Sequence, residues 1–293
     1  MRLGVHLVDF AFPGGAAAVG PTLARVGAAA EEVGVANLSA MDHYLQIMGD
    51  PAGPMLEGYT TLGFLAAHTR TVELQLLVTG VTYRHPGLLI KIVSTLDVLS
   101  GGRAALGLGA AWHEREHAAY GVRFPPLAER FERLEDTLRI AHQMWSRNDG
   151  PFEGEHYRLA ETINAPQPLA APRPPIMVGG AGEKKTLRMV ARYADACNLF
   201  ARPDGGPAAV GAKLDVLAEH CAREGTDYDR IRKSILWVGP VETTAAGGVR
   251  FAEQMRGYAA VGVDEVHVMP FGGDPVGFVK GLGAHVIPRI GDL

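Results

Sequence analysis

A short strand-like run followed by a longer helical segment recurs eight times along this 293-residue chain, and this alternation restricts its fold more than any other feature. The strand-like runs cover residues 3–8, 37–41, 72–80, 104–109, 175–180, 195–200, 231–239 and 264–270. The helical patterns cover residues 19–33, 59–68, 86–99, 131–145, 183–193, 208–223, 249–261 and a segment that begins at Pro275. Repeated strand–helix units build a parallel sheet, and eight units in this length favour closure. The sequence therefore predicts one α/β domain over residues 1–293, a (β/α)8 barrel of the TIM type.

One segment interrupts the alternation. Residues 150–175 are rich in proline and glycine and are too long for a simple connection between a helix and a strand. Within them, FEGEHYRL at 152–159 is typical of a small hairpin. We expect an insertion here, and long loops in compact domains are often functional.

Charge and cysteine content exclude some classes of partner. The chain has 28 basic and 32 acidic residues, a formal net charge of -4, so a nucleic acid or membrane surface is not an expected partner. No apolar run approaches the roughly 18 residues that a membrane span needs, so we expect no membrane-spanning helix. No targeting leader is expected either, since Met1 runs directly into the first strand-like segment. Two cysteines cannot form a disulfide framework, which favours a reducing compartment and predicts a cytoplasmic protein.

In a barrel of this type, the residues that follow the strands meet at one end, where the active site lies. The predicted strands bring the following residues there: Asp9, Asp42, His43, Gly80, Val81, Thr82, Gly109, Ala110, Ala111, Trp112, His113, Gly179, Gly180, Ala181, Gly182, Asn198 and 269–273. Histidine exchanges protons near neutral pH, so His43 is the candidate catalytic residue. Neighbours on an extended segment point to opposite sides, so we expect Asp42 to anchor the loop rather than to bind His43. The alternative is that both residues only cap the loop.

A glycine-rich turn opens a helix at 178–186, VGGAGEKKT. Backbone amides at a helix N-terminus favour an anion, glycine allows close approach, and Lys184 adds positive charge. The spacing matches neither a P-loop nor the dinucleotide fingerprint. We predict a phosphate site, with an ordinary strand-to-helix loop as the alternative.

The stretch HEREH at 113–117 matches the H-E-x-x-H spacing of zinc proteases. The stretch directly follows a glycine-rich strand, and no third metal ligand of the zincin type follows it in the sequence. We therefore expect no metal site and expect Glu114 and Glu116 on the surface of a loop or helix.

These segments resemble a known family. Residues 96–121, LDVLSGGRAALGLGAAWHEREHAAYG, resemble the signature of the luciferase-like monooxygenase superfamily. The stretches MDHY at 41–44, RHPGLLIK at 84–91 and 178–200 resemble its branch of coenzyme F420-dependent oxidoreductases, and 152–176 resembles the insertion that the superfamily carries. The resemblance covers nearly the whole chain and implies a barrel of the bacterial luciferase type.

The resemblance also implies roles for the barrel mouth. F420 is a 5-deazaflavin that carries hydride and reacts poorly with dioxygen. Its phosphate would lie near Gly179–Gly182, His43 would work beside the ring, and a non-prolyl cis peptide would lie at Gly80–Val81. The implied cofactor-binding set is Asp42, His43, Gly80, Val81, Thr82, Gly109, Ala110, Ala111, Trp112, Gly179, Gly180, Ala181, Gly182 and Lys184. Trp112 stands where some F420-dependent relatives have a glutamate, and an indole cannot deliver a proton.

Four functions remain open at this point. The first is an F420-dependent oxidoreductase acting on a small molecule, expected to be a homodimer. The second is an FMN-dependent monooxygenase, a flavin enzyme on the same barrel, and the third is a non-catalytic F420-binding protein. The fourth is a zinc hydrolase. The sequence does not identify the substrate, although the apolar character of 45–59 favours an organic molecule over a highly charged one.

Overall fold

The predicted parallel barrel is confirmed by a computed structural model, which describes residues 1–293. The strands are β1 Arg2–Leu7, β2 Asn37–Ala40, β3 Glu73–Leu76, β4 Thr79–Gly80, β5 Leu106–Gly109, β6 Phe152–Glu153, β7 Arg158–Leu159, β8 Ile176–Gly179, β9 Ala196–Ala201, β10 Arg232–Trp237 and β11 Glu265–Val268. Nine of them form one parallel sheet in the order β3-β2-β1-β11-β10-β9-β8-β5-β4. The remaining pair, β6 and β7, forms the antiparallel hairpin predicted within the insertion.

The sheet closes on itself between β3 and the start of β5. The amide of Leu74 donates to the carbonyl of Arg103 at 2.9 Å, and the amide of Ala105 donates to the carbonyl of Leu74 at 2.9 Å. β3 and β4 together therefore form the third of the eight barrel strands, which corresponds to the single run predicted at 72–80.

The third barrel strand loses one of its two hydrogen-bonding neighbours halfway along. β3 lies between β2 and the start of β5, whereas β4 pairs with β5 alone. The non-prolyl cis peptide lies at Leu77–Val78, where the pairing changes. The expectation of a cis bond at Gly80–Val81 is wrong, because Gly80 is still paired in the ladder, opposite Gly109. Val78, the residue after this bond, is partly buried against Leu77 and its apolar neighbours inside the barrel.

Helices cover the outside of the barrel. They are α1 Ala16–Val33, α2 Gly58–Ala67, α3 Pro86–Ser100, α4 Glu114–Tyr120, α5 Leu127–Met144, α6 Thr186–Tyr193, α7 Gly206–Glu224, α8 Ala245–Ala260, α9 Pro275–His285 and α10 Ile287–Ile290. The predicted signals hold at particular ends: Pro86 opens α3, and Gly34 ends α1 with a left-handed φ of 77°. None of the helices combines the length and the apolar character that crossing a membrane requires.

Alternation along the strands divides the interior into layers. One set of side chains joins the helices in a core of 63 buried residues, and the other set fills the barrel. Near the amino ends of the strands this filling is polar, with Glu73, Gln75, Glu265 and His267 all buried or nearly so. Nearer the mouth it is an apolar cluster, here called the apolar floor, which also includes Ala196 at the start of β9. Its members are Val8, Met41, Leu77, Met177, Ala196, Leu236 and Met269. The floor separates the polar interior from the barrel mouth.

Candidate active site

His43 lies at the barrel mouth, three residues beyond the end of β2. Its side chain is 13% exposed, and its Nδ1 lies 3.0 Å from Oε2 of Glu116. The rings of Trp112 and His113 stand edge-on to it, with centroids 5.6 and 5.7 Å away. One ring nitrogen is therefore held by a carboxylate, and the other has no hydrogen-bond partner within the chain.

Glu116 is the residue that holds His43. Its carboxylate is fully buried and also accepts hydrogen bonds from the Tyr83 hydroxyl and from the amides of Tyr44 and Leu45, the last at 2.6 Å. Burial alone would raise the pKa of Glu116, but these hydrogen bonds outweigh it and lower the pKa to about 2. Glu116 is therefore an acceptor at neutral pH, and Nδ1 of His43 must donate to it.

The expectation of Glu116 on the surface is wrong. α4 packs one side against the loop that follows β4, and this side carries Glu116 and His117, which are both fully buried. Glu114, two residues earlier and on another side of the helix, is exposed as expected. A helix rotates by about 100° per residue, so two glutamates that are two residues apart in HEREH lie on different sides and in different environments.

The second histidine of HEREH has a structural role. Nδ1 of His117 lies 2.8 Å from the carbonyl of His113, and Nε2 lies 2.6 Å from the Thr82 hydroxyl. The His117 ring stacks on Tyr83 at 4.5 Å. Both ring nitrogens thus have partners within the chain, and the spacing positions Glu116 and Tyr83 instead of presenting two free imidazoles to a metal.

Asp42 anchors the loops beneath His43 and makes no hydrogen bond to it. Its two oxygens accept from the Arg84 guanidinium at 2.8 and 2.9 Å, and Oδ2 also accepts from the Gly80 amide at 2.9 Å. The Arg84 guanidinium also donates to the carboxylate of Glu57, the residue that caps the N-terminus of α2. This network ties the segments after β2 and β4 together and fixes the backbone from which His43 projects.

The segment after β5 is held by Arg130 of α5. Its guanidinium donates to the carbonyls of Ala111, at 2.5 Å, and Ala110, at 3.4 Å. Ala111 has a φ of 57°, a left-handed conformation that is uncommon for alanine and that these contacts stabilise. Trp112 follows with its ring exposed beside His43.

Two glycines give Val78 its place at the mouth. A Cβ on Gly109 would lie 2.8 Å from Val78 Cγ2, and one on Gly179 would lie 3.0 Å from Val78 Cγ1. The Val78 side chain therefore occupies space that only glycine leaves open on the neighbouring strands. Val81, by contrast, is buried in the core between sheet and helices, and the Thr82 hydroxyl is engaged by His117.

The loop from Gly180 into α6 fits an anion. Gly180 has a φ of 120°, and its amide donates to the Asn198 carbonyl at 3.0 Å. The next six amides, 181–186, donate no hydrogen bond within the chain, and residues 181–185 are exposed. Lys184 has neither a hydrogen bond nor an ion pair within the chain. A phosphate would satisfy several of these amides at once.

Sequence reasoning missed Glu116, Tyr83, Arg84 and Arg130. The first three lie far along the chain from their partners: Glu116 binds an amide 72 residues away, and Arg84 binds a carboxylate 42 residues away. The one available signal was the charged stretch HEREH at the end of a barrel strand, where a carboxylate lies close to the mouth whatever its helical side.

Comparisons with known proteins point to one family. The luciferase-like monooxygenase family profile matches residues 1–275. An F420-dependent glucose-6-phosphate dehydrogenase of Nakamurella multipartita is 33% identical over 190 residues, which is 64% of this chain and 55% of that protein. The chain spans about half the length of the curated relatives it matches.

Solved structures share the fold. The F420-dependent tetrahydromethanopterin reductase of Methanopyrus kandleri superposes with a TM-score of 0.80 at 16% identity, covering 99% of both chains. An F420-dependent secondary alcohol dehydrogenase, in complex with an F420–acetone adduct, gives a TM-score of 0.81 at 14% identity, covering 99% of this chain and 98% of that one. At such identities the likeness concerns the fold alone.

Proposed function

The chain belongs to the luciferase-like monooxygenase family, and from this premise we propose that it is an F420-dependent oxidoreductase acting on a small organic molecule. The observation that carries the proposal is the His43–Glu116 pair at the carboxyl ends of the strands, across the mouth from a loop of free amides. Several relatives with 31–34% identity are named as F420-dependent enzymes, which supports F420 over other cofactors.

The residues present fit a phosphorylated deazaflavin. The amides of 181–186, with Lys184, would hold its phosphate, and Val78, Gly109 and Gly179 would lie under its ring. When bound, F420 supplies a carbon centre that accepts or gives hydride. Asp42 and Thr82 would serve this site indirectly, by fixing the loops that carry His43 and Tyr83.

His43 would handle the proton that accompanies hydride transfer. Since the ionised Glu116 accepts the Nδ1 proton, the neutral imidazole presents an unprotonated Nε2. This nitrogen can accept a proton from a substrate hydroxyl, and the buried carboxylate then stabilises the imidazolium. In the reverse direction the imidazolium returns the proton to a carbonyl oxygen. General acid–base help of this kind typically contributes about 10²–10⁴-fold.

Two other functions predict different results. An FMN-dependent monooxygenase would use the same barrel with a flavin that reacts with dioxygen, and a non-catalytic F420-binding protein would bind the deazaflavin without turnover. Neither needs a histidine whose free nitrogen is fixed by a buried carboxylate, which is why we place the oxidoreductase first.

A titration of the purified protein with F420 and, separately, with FMN tests the proposal. We expect F420 to bind more tightly. Gly180→Ala should weaken this binding at least tenfold, because φ at Gly180 is 120° and the loop must change its course. The matched control is Gly225→Ala, a glycine with a φ of 70° at the end of α7, which should leave the affinity unchanged. Tighter binding of FMN would contradict the F420 assignment, and equal effects of both variants would contradict the phosphate loop.

A homodimer in the cytoplasm completes the proposal. α2 and α3 pack side by side, and their outer surfaces expose Phe64, Leu88 and Leu99. A second copy of the chain would cover this surface. Both cysteines are free thiols, as suits a reducing compartment. Sedimentation equilibrium should give twice the chain mass, and Phe64→Glu with Leu88→Glu should give the monomer; a wild-type monomer would contradict the dimer.

A further inference from the structure

The barrel mouth has two chemically different sides. The phosphate loop and the glycines around Val78 follow β4, β5 and β8. The other side of the mouth is formed by the segments that follow β9, β10, β11 and β1, together with the loop that follows β2. These segments touch one another: the Gln46 side chain donates to the Val8 carbonyl at 3.0 Å, and a Cβ on Gly273 would meet Pro13 at 3.3 Å. This second side is here called the substrate side, and it faces the position of His43.

Large apolar side chains are exposed at the mouth. Met48, Phe200 and Phe271 of the substrate side are 46%, 64% and 52% exposed, and Trp112 beside His43 is 63% exposed. Phe200 belongs to the inward-facing set of β9, as do Ala196 of the apolar floor and Asn198. Below these residues lies the apolar floor, and the one inward-facing polar side chain between Phe200 and Ala196, Asn198, is buried and donates to the Ser234 hydroxyl. A chain that exposes such a group of side chains at the carboxyl ends of its barrel strands suits an apolar ligand.

Charge on the substrate side is unfavourable to an anion. Its segments 8–15, 41–56, 202–205, 238–244 and 269–274 contain one basic residue, Arg202. They contain the acidic residues Asp9, Asp42, Asp50, Asp204, Glu242 and Asp274. Asp9, Asp50 and Asp274 accept hydrogen bonds from backbone amides and form no ion pair within the chain. This side of the mouth therefore carries more carboxylates than cations, which disfavours a phosphate dianion.

We propose that the substrate is an uncharged, largely apolar alcohol, or the carbonyl compound formed from it, and not a sugar phosphate. This inference rests on the proposed F420-dependent function. Oxidation breaks the carbinol C–H bond, whose hydride passes to F420, the oxidant. It also breaks the O–H bond, whose proton passes to Nε2 of His43, and the C=O bond forms. The chain thereby differs from the glucose-6-phosphate dehydrogenases among its relatives in the substrate it admits.

The substrate preference can be measured with a homologous series. With F420 bound, 2-propanol through 2-octanol should show kcat/KM rising about fourfold per added methylene until the floor is filled, since each buried methylene contributes about 0.8 kcal/mol. Glucose 6-phosphate should not be oxidised. A dependence that is flat with chain length, or faster turnover of glucose 6-phosphate, would overturn the inference and leave the F420-dependent function intact.

Phe200 allows a matched test of the apolar side. Phe200→Ala should lower kcat/KM for 2-octanol at least tenfold, change it little for 2-propanol and leave F420 affinity unaltered. The control is Leu169→Ala, an exposed apolar residue beside Gly102 at the opposite end of the barrel, which should change neither. Loss of F420 affinity in Phe200→Ala would show that the phenyl ring covers the cofactor, and would overturn its assignment to the substrate.

A binding measurement gives a readout independent of turnover. Titration of the cofactor-free protein with 2-octanone should quench tryptophan fluorescence, and Trp112→Phe should remove most of the change while Trp145 and Trp237 remain. This titration decides the inference if no alcohol in the series is oxidised: quenching that saturates supports it, and its absence overturns it. Failure to bind F420 would instead remove the proposed function and the substrate inference together.

Discussion

Two glutamate–histidine pairs lie at different depths of the barrel. At the mouth, His43 Nδ1 is 3.0 Å from Glu116 Oε2; inside the barrel, His267 Nε2 is 2.8 Å from Glu265 Oε1. Both glutamates are fully buried, and both have a pKa of about 2. The same two residue types at nearly the same separation therefore occur in one fold with different surroundings.

The surroundings decide what each pair can do. Glu116 is held by directed hydrogen bonds, and His43 keeps an edge exposed. Neither carboxylate oxygen of Glu265 has an aligned hydrogen bond; its partners beyond His267 are the guanidinium groups of Arg2, at 3.2 Å, and Arg232, at 3.8 Å. His267 is fully buried beneath the apolar floor. The mouth pair is accessible to a ligand, as the proposed proton exchange requires, whereas the inner pair is closed off from solvent, and we expect it to contribute to stability alone.

The largest expected effect is at the mouth. Glu116→Gln keeps the shape but offers an amide N–H to Nδ1 of His43, which leaves the proton on Nε2. Turnover should fall about 10²–10⁴-fold, with KM for the alcohol and the affinity for F420 little changed. Steady-state kinetics and an F420 titration measure this. A loss of affinity without a loss of kcat would mean that Glu116 shapes the cofactor site instead of positioning His43.

The inner pair should respond in stability instead. Glu265→Ala leaves His267, Arg2 and Arg232 without their shared carboxylate, and should lower the free energy of unfolding by about 3 kcal/mol. This is the lower end of the usual range, because Arg232 keeps Glu73 at 2.8 Å. Urea unfolding measures the loss, and turnover at low temperature should stay within twofold. A Glu265 variant that is stable but inactive would contradict the division between the two pairs.

Low pH should reduce the stability of the fold through protonation of His6, which is buried inside the barrel. Burial and then the neighbouring His267 and His43 lower the pKa of His6 from 6.5 to about 3. Between these values the unfolded chain binds the extra proton, so the stabilising contribution is complete above pH 6.5 and is lost as pH falls towards 3. Glu265 adds a loss between pH 4.5 and about 2.

A His6→Asn variant separates these contributions. Between pH 6.5 and 4.5 its free energy of unfolding should fall less steeply than that of the wild type, by about 1.4 kcal/mol per pH unit. Urea unfolding at several pH values checks this. Parallel curves for the two proteins would show that His6 does not titrate on unfolding.

The smallest effect is expected at Glu114, two residues from Glu116. Its side chain is exposed, so Glu114→Gln should change stability by less than about 0.5 kcal/mol and turnover by less than twofold. It is the matched control for Glu116→Gln. A comparable loss of activity in both variants would point to a general disturbance of α4.

The barrel itself was predictable because each strand–helix unit carries its own periodicity and its own stops, such as Pro86 and Gly34. The loop at 178–186 was predictable for the same reason, since a glycine-rich turn before a helix is a local signal. The position of the cis peptide was not, because it coincides with the point where the third barrel strand ceases to pair with β2, which depends on tertiary structure.

The polar pairs were not predictable from local pattern. In β3 the alternation of Glu73 and Gln75 with leucines is typical of a strand that has one face in solvent. Because the sheet closes into a barrel, however, these polar side chains point into the barrel interior. Similarly, the direction of Glu116 follows from the packing of α4 on Tyr83, a contact between segments 33 residues apart. Both outcomes depend on tertiary closure, which one sequence does not reveal.

The central claim is that His43, held by Glu116, exchanges the proton that accompanies hydride transfer with F420. Its most direct test compares wild type with His43→Ala, by an F420 titration and by the rate of F420 reduction with a substrate that the wild type oxidises. The account predicts F420 affinity within about tenfold of wild type and a rate lower by about 10²–10⁴-fold. An unchanged rate in the variant would contradict it.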